Sequence, residues 1–136
     1  DTLSRNASGF TVFMPSEGVI NDIIGSGKLD MISNIELRRK IASWEADLRM
    51  IREFEKLSRE ADDKYAVHST QYFDDVNGKF RQAAFIENKR SIFLKDNILS
   101  NSMVDLYGLS KILNRHYLEK SKDIDSLIAI IDSELK

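Results

Sequence analysis

The most regular pattern in the chain is an apolar seam with helical spacing in its first half. It consists of Leu37, Ile41, Trp44, Leu48 and Ile51, which alternate at spacings of four and three residues, and it continues through Phe54 and Leu57. Charged residues fill the positions between them, as on a helix with one packed face. No Pro or Gly occurs between Gly27 and Gly78. This first long helix is therefore predicted to run to about Asn77, with a bend near Ser69 and Thr70 as an alternative.

The residues before the seam predict how this helix begins. Ser33 and Glu36 have the spacing of a capping box, in which each side chain accepts a hydrogen bond from the backbone amide of the other residue. Ile32 and Leu37 lie just outside that pair, as in a hydrophobic staple. We therefore predict that Ser33 caps the first long helix.

A shorter helix is predicted upstream of this cap. The segment 15–17, Pro-Ser-Glu, is a helix-start signal. The apolar residues that then fall on one face are Val19, Ile20, Ile23 and Ile24. Gly25 and Gly27 favour a helix end because glycine readily adopts the left-handed conformation found there. Residues 1–14 are interpreted as an extended lead-in.

A second long helix is predicted near the carboxyl end of the sequence, starting at about Asn101 or Ser102. Its apolar stripe comprises Leu106, Leu109, Leu113, Tyr117, Ile124, Leu127, Ile131 and Leu135. Gly108 should cost up to about 1 kcal/mol relative to Ala unless it permits close packing. A break near residues 121–123 is an alternative. Residues 79–99 fit either two short helices or a helix and a loop.

These elements predict an all-α fold: an antiparallel helical bundle with two long amphipathic helices and shorter connecting helices. The length of 136 residues fits a single helical domain covering residues 1–136. Two helices alone do not cover both seams. The missing cover is expected from residues 79–99, from a helix upstream of this sequence, or from a second chain.

Composition narrows the classes of function. The chain is 42% hydrophobic and 31% charged, with a net charge of −2 and no cysteine. The absence of a basic excess argues against a nucleic-acid partner, and the absence of cysteine excludes disulfides and thiolate chemistry. No run of 18 apolar residues is present to span a membrane. Because the sequence begins at Asp1, we expect it to be the soluble part of a longer, membrane-anchored chain.

The stretch Gly25-Ser26-Gly27-Lys28 looks like the end of a nucleotide-binding loop. The pattern G-x-x-x-x-G-K-S/T would need glycine at position 22 and a hydroxyl at position 29, where the sequence has Asp22 and Leu29. A predicted helix, not a strand, also precedes the glycines. We therefore interpret them as a turn that ends the first helix.

Histidine is the other candidate for chemistry. Neither His68 nor His116 has a second histidine three or four residues away or a Glu three residues before it, so helical metal motifs are absent. The acids within reach of His68 along its helix are Asp62, Asp63, Asp74 and Asp75. A metal-binding or general-base role for His68 competes with a simple solvated side chain, which we favour. No catalytic, cofactor-binding or metal-ligating residue is assigned, and no cofactor.

The segment 79–95 is locally basic. It contains Lys79, Arg81, Lys89, Arg90 and Lys95 with the single acid Glu87, interleaved with Phe80, Phe85 and Phe93. Such segments can bind single-stranded nucleic acid or anionic lipid. We favour an interpretation in which the phenylalanines fill the bundle while the cations remain in water. Trp44 is likewise interpreted as a core residue.

One stretch resembles a known family. The residues that carry the resemblance are Ser26, Gly27, Lys28, Leu29, Ile32, Asn34, Glu36, Leu37, Arg38 and Ile41. They resemble the shared motif of a domain-of-unknown-function family of small membrane-anchored helical proteins from Bacteroidetes. Ser43-Trp44 stands where that family often has an aromatic pair. The resemblance implies a helical domain on the periplasmic side of the inner membrane, behind an N-terminal transmembrane helix, and it implies no activity.

The function hypotheses follow from the uncovered seams. The leading one is a non-catalytic helical domain at the cell envelope that binds a protein partner or its own copy. It contacts the membrane only through a segment outside this sequence. One alternative is an extracytoplasmic small-molecule sensor with a polar site at Arg38, Arg39 or His68. The other is an enzyme of unknown class, which needs a convergent set of titratable groups in a cleft.

Overall fold

The computed structural model describes residues 12–74, 84–86 and 88–135. Its elements are helix α1 (Gly18–Gly25), a 3-10 helix (Lys28–Met31), α2 (Ile35–Ser69), strands β1 (Phe73–Asp74) and β2 (Ala84–Phe85), α3 (Arg90–Phe93) and α4 (Asn97–Glu134). β1 and β2 pair antiparallel, with Phe73 opposite Phe85. Apart from this two-residue pair the described chain is helical, which confirms the all-α class. The predicted lead-in up to residue 11, and residues 79–83 and Glu87 of the basic segment, lie outside the described residues.

Helix α1 matches its prediction at both ends. It starts directly after Glu17, and Gly27 has a φ of 70°, the left-handed conformation that favours glycine. Ile20, Ile23 and Ile24 pack against the core. Val19 is exposed, and here the prediction was wrong. At 100° per residue, position 19 lies outside the arc that the three isoleucines span.

The cap of α2 lies one residue later than predicted. Asn34 Oδ1 accepts a hydrogen bond from the backbone amide of Leu37 at 3.0 Å, and the first helical residue is Ile35. The capping box of Ser33 with Glu36 is therefore wrong, because Asn34 is an equally good cap and sits one position closer to the apolar seam. Ile32 packs against the core cluster that contains Leu37.

The ends of the long helices also differ from the predictions. Helix α2 stops at Ser69, where the alternative bend had been placed, and does not reach Asn77. Helix α4 starts at Asn97, before the expected Asn101. The reason is Asp96, whose side chain caps that helix. The alternative break at residues 121–123 is absent, since α4 is continuous to Glu134.

Burial along α2 follows a heptad from Leu37 to Ser58. The predicted seam is buried from Leu37 to Ile51, and the same alternating spacing of four and three residues then buries Glu55 and Ser58. Leu57, predicted to continue the seam, is 40% exposed. The prediction failed at Leu57 because it extended the seam to the nearest apolar residues. The positions that pack against a neighbouring helix instead recur every 3.5 residues on average, even where the residue there is polar.

The chain divides into two compact units, and each long helix contributes to both. The described part of unit 1 lies within residues 54–112. Its core is formed by Ala61, Tyr65, Tyr72, Phe93, Leu99 and Leu106. Unit 2 comprises residues 12–53 and 113–135. Its core is formed by Leu37, Ile41, Trp44, Leu48 and Leu127, with α1 and the 3-10 helix packed against it. The single-domain assignment stays a prediction.

Within the described ranges, none of the helices combines the length and the apolar character needed to cross a membrane.

Candidate functional site

Asp96 is the centre of a polar cluster in unit 1. Its Oδ1 accepts hydrogen bonds from the backbone amides of Ile98 at 2.8 Å and Leu99 at 3.2 Å, which caps α4. Its Oδ2 accepts a hydrogen bond from the Tyr72 hydroxyl and lies 2.9 Å from His68 Nε2. One carboxylate thus ties together the end of α2, the turn that follows it and the start of α4.

The surroundings of His68 differ from the sequence expectation. Its side chain is 28% exposed, and Asp96, 28 residues along the chain, is its partner. Of the four acids suggested by helical spacing, Asp75 lies outside the described residues. A T-shaped contact with the Tyr72 ring, at 6.4 Å between centroids, holds the imidazole from a second side. Gln71 Nε2 also lies 3.1 Å from His68 Nε2, so three side chains orient the ring and it is not simply solvated.

Hydrogen bonding shifts the titration of both partners. The Tyr72 hydroxyl, followed by His68 and two backbone amides, stabilises the charged carboxylate and holds the pKa of Asp96 well below its usual range. The hydrogen bond to Asp96, together with burial, raises the pKa of Tyr72. The cluster is thus an ionised aspartate held by a neutral phenol and an imidazole. The Ser100 hydroxyl also joins this cluster, donating to the backbone carbonyl of Asp96 at 2.9 Å.

A second polar cluster lies inside unit 2. The Lys120 side chain is only 6% exposed; its Nζ donates to Asp47 Oδ2 at 2.6 Å and lies 4.8 Å from the centroid of the Trp44 ring. Asp123 accepts from Lys40 at 3.3 Å on the same side. Trp44 was interpreted as a core residue and is one, but the structure adds a buried cation on its ring. Sequence reasoning missed Lys120, although its place seven residues after Leu113 and before Leu127 is a heptad signal.

A third polar group interrupts the seam of α2 in unit 1. Glu55 and Ser58 are buried, and Asp62 Oδ1 is buried without a hydrogen-bond partner among the described residues. Burial, and then the charge of Asp63, raise the pKa of Asp62, while burial and Asp62 raise that of Tyr65. Within the described ranges no three His, Asp or Glu side chains are arranged to hold a metal ion.

The remaining candidate residues have partners close to them in their own unit or are exposed. The glycine stretch 25–28 ends α1 and begins the 3-10 helix. Arg38 lies 3.8 Å from Asp30, and Arg39 is exposed; both belong to unit 2, whereas His68 belongs to unit 1. His116 Nδ1 lies 3.4 Å from Glu119 on the next turn of its own helix.

No protein-family model, no curated protein and no solved structure matches the chain.

One surface surrounds the start of α4, and we call it the basic surface. It consists of Lys89, Arg90, Ile92, Leu94, Lys95 and Ile98. The three aliphatic side chains are 55–70% exposed, whereas Phe93 between them is buried. For Phe93 the favoured interpretation is confirmed. That interpretation did not predict the exposure of Ile92, Leu94 and Ile98. In a short segment the alternation of residues does not show whether the phenylalanine or the aliphatic residues are buried.

The other surface is the acidic stripe, near the carboxyl end of α4. It consists of Asp125, Ile128, Ile131, Asp132 and Leu135, which helical spacing places on one side of α4. The aliphatic members are 41–80% exposed, although Ile131 and Leu135 were predicted to be core residues. No Lys or Arg occurs between residues 123 and 135. Both surfaces therefore combine exposed aliphatic side chains with charges of one sign.

Proposed function

We propose that this chain is a non-catalytic helical domain that mediates protein–protein interaction or self-association at the cell envelope. The observation that carries the proposal is the pair of exposed apolar surfaces, the basic surface and the acidic stripe. Soluble proteins seldom leave clusters of aliphatic side chains in water, and clusters rimmed by charge mark interaction sites.

We further propose that the architecture is an antiparallel bundle built on α2 and α4. In unit 2, Asn34 donates to Glu134 at 2.8 Å, Lys40 to Asp123 at 3.3 Å, and Lys120 to Asp47 at 2.6 Å. Residue numbers rise along α2 as they fall along α4. In unit 1, His68 near the end of α2 bonds to Asp96 just before α4. Both sets of contacts support the antiparallel pairing.

A binding role fits the polar clusters better than catalysis does. Each carboxylate or amine of the Asp96 and Lys120 clusters is engaged by partners from its own unit. Such groups position helices and loops, because an acid already bonded to a phenol, an imidazole and two amides has its acceptor sites occupied. The surfaces next to the clusters are then presented on a rigid support.

The location at the cell envelope rests on the resemblance of residues 26–41 to the membrane-anchored family. We propose a periplasmic position behind an anchor outside this sequence, with a protein partner or a second copy as the ligand and no nucleic acid. A net charge of −2 agrees with a protein ligand rather than with nucleic acid.

Two measurements test the proposal. Sedimentation of the purified chain over a wide concentration range should show a mass above the monomer that rises with concentration. Crosslinking from envelope fractions of the full-length protein should capture either a defined partner or a second copy. Replacing Ile128 and Leu135 by Ser, or Ile92 and Leu94 by Ser, should reduce the association.

The matched control replaces Met14 and Val19 by Ser. These two side chains are also highly exposed but belong to neither surface, so the control should leave association unchanged. A chain that stays monomeric at the highest concentration and crosslinks to nothing through either surface would refute the proposal.

A further inference from the structure

We propose that the basic surface of one copy binds the acidic stripe of a second copy, so that copies associate head to tail. This inference rests on the proposed function and deepens it, since it names the partner as the chain itself and the two surfaces that meet. The two surfaces carry charges of opposite sign, and both expose aliphatic side chains.

The charges of the two surfaces are complementary. The basic surface has three cations and no acid between residues 88 and 95, and Arg90 and Lys95 are exposed. The acidic stripe has Asp125 and Asp132, both exposed, and no cation among its members. Complementary charges at the rim of an interface guide association and fix the pairing of surfaces.

Asp96 does not cancel the charge of the basic surface. Although it follows Lys95 directly in sequence, its two oxygens accept from Tyr72, from two backbone amides and from His68 within unit 1. The side chain is therefore turned away from solvent, being 13% exposed. Asp96 is therefore not the group that would neutralise Lys89 or Lys95 on the basic surface.

The aliphatic residues on both surfaces match in number. Ile92, Leu94 and Ile98 stand on the basic surface, and Ile128, Ile131 and Leu135 on the acidic stripe. Burying apolar area against apolar area gives the main driving force for association, while the charges select which surface meets which.

The same surfaces disfavour pairing with themselves. A two-fold contact through the acidic stripe would bring Asp125 and Asp132 against their own copies, and a two-fold contact through the basic surface would bring its cations together. Like charges facing one another are costly at an interface. Contact between two different surfaces avoids this cost and allows either closed rings or open chains, depending on the rotation between copies.

A membrane is the competing ligand for the basic surface. Anionic lipid would attract its cations and accept its aliphatic side chains. It would repel the acidic stripe, however, and would leave the exposed aliphatic residues there without a role. A second copy accounts for both surfaces at once.

A charge-swap experiment tests the inference. One variant carries Lys89→Glu and Lys95→Glu, and the other carries Asp125→Lys and Asp132→Lys. By sedimentation, each variant alone should associate at least about tenfold more weakly than the unmodified chain, because both of its surfaces then have the same sign. An equimolar mixture of the two variants should regain association, because each reversed surface meets a partner of opposite charge.

The control variant carries Lys56→Glu and Lys64→Glu, the same charge change at exposed positions of α2 outside both surfaces. It should associate like the unmodified chain. Recovery in the mixture also demonstrates that both swapped variants are folded, and circular dichroism of each variant alone checks this independently.

The outcomes separate this inference from the proposed function. If the unmodified chain associates but the swaps have no effect, or the mixture does not recover, the head-to-tail pairing is wrong and another interface is responsible. If the unmodified chain does not associate at all, self-association itself fails. The last measurement is sedimentation with vesicles of phosphatidylcholine and phosphatidylserine. If the chain is monomeric and binds these vesicles, and the variant with Lys89→Glu and Lys95→Glu does not bind them, then the basic surface binds lipid. That result would overturn the proposal.

Discussion

Asp96 is the residue on which the connection between the long helices depends. It caps α4 through one oxygen and holds Tyr72 and His68 through the other. Replacing it by Asn keeps a capping acceptor but removes the charge, and replacing it by Ala removes both. We expect melting temperatures to fall in the order unmodified chain, Asp96→Asn, Asp96→Ala. The exposed Asp105→Ala on the same helix serves as the control and should melt like the unmodified chain.

The stabilisation by Asp96 should depend on pH in a defined direction. Because the pKa of Asp96 is lower in the folded chain than its usual value of 3.8, the folded state binds fewer protons than the unfolded state in acid. This contribution is complete above about pH 4–5 and is lost as the pH falls toward the folded pKa. The difference in melting temperature between the unmodified chain and Asp96→Asn should therefore shrink on acidification. A difference that grows in acid would contradict the assigned hydrogen bonds.

Lys120 is a buried cation whose contribution to the stability of the chain can be measured by replacement. Its stem packs inside unit 2, and its ammonium group contacts Asp47 and the Trp44 ring. Lys120→Ala should lower the free energy of unfolding by about 2–3 kcal/mol, because it leaves a cavity and removes both contacts. Lys120→Met fills the space and should cost within about 1 kcal/mol, since a buried ion pair can often be replaced by apolar packing. Urea denaturation measures both, and the exposed Lys122→Ala should change little.

At the scale of elements, the start of α2 distinguishes two neighbouring caps. The structure has Asn34 accept from the amide of Leu37, whereas the sequence had suggested Ser33. Asn34→Ala should therefore destabilise the chain by about 1 kcal/mol and Ser33→Ala by much less. Chemical denaturation measures both variants. Equal losses of stability, or a larger loss for Ser33→Ala, would contradict Asn34 as the cap of α2.

Gly108 lowers the stability of helix α4, and its replacement by alanine should remove this effect. A Cβ added there would meet no atom within 4 Å, so the glycine does not serve close packing within the described structure. Gly108→Ala should therefore raise the free energy of unfolding by about 0.5–1 kcal/mol, the usual gain in a helix interior. The midpoint of thermal unfolding provides the measurement, and a loss of stability would indicate a neighbour that the structure does not show.

At the scale of the whole molecule, opposite charges at two surfaces predict a salt dependence. Association driven partly by Lys89 and Lys95 against Asp125 and Asp132 should weaken when the salt concentration rises from about 50 to 500 mM, because the screening length shortens to a few ångströms. The aliphatic contact should persist, so the loss should be partial. Sedimentation at several salt concentrations checks this, and association that strengthens steadily with salt would indicate a purely apolar interface.

Much of the helical architecture could be read from the sequence. The spacing of Leu37, Ile41 and Trp44, the helix-ending Gly27 and the scarcity of Pro are local features, and local features decide whether a segment is helical. For the same reason the sequence excluded a phosphate loop at residues 25–28. Errors arose at helix ends; at the start of α2, for example, two adequate caps, Ser33 and Asn34, stand side by side.

Only the tertiary structure decided which polar groups are buried and what they contact. His68 meets Asp96 across 28 residues, and Lys120 meets Asp47 across 73, distances at which helical periodicity carries no information. The exposure of Ile98 and Ile128 likewise depends on what packs beside them. Periodicity assigns a residue to a face of its own helix, and only the neighbouring elements determine whether that face is covered.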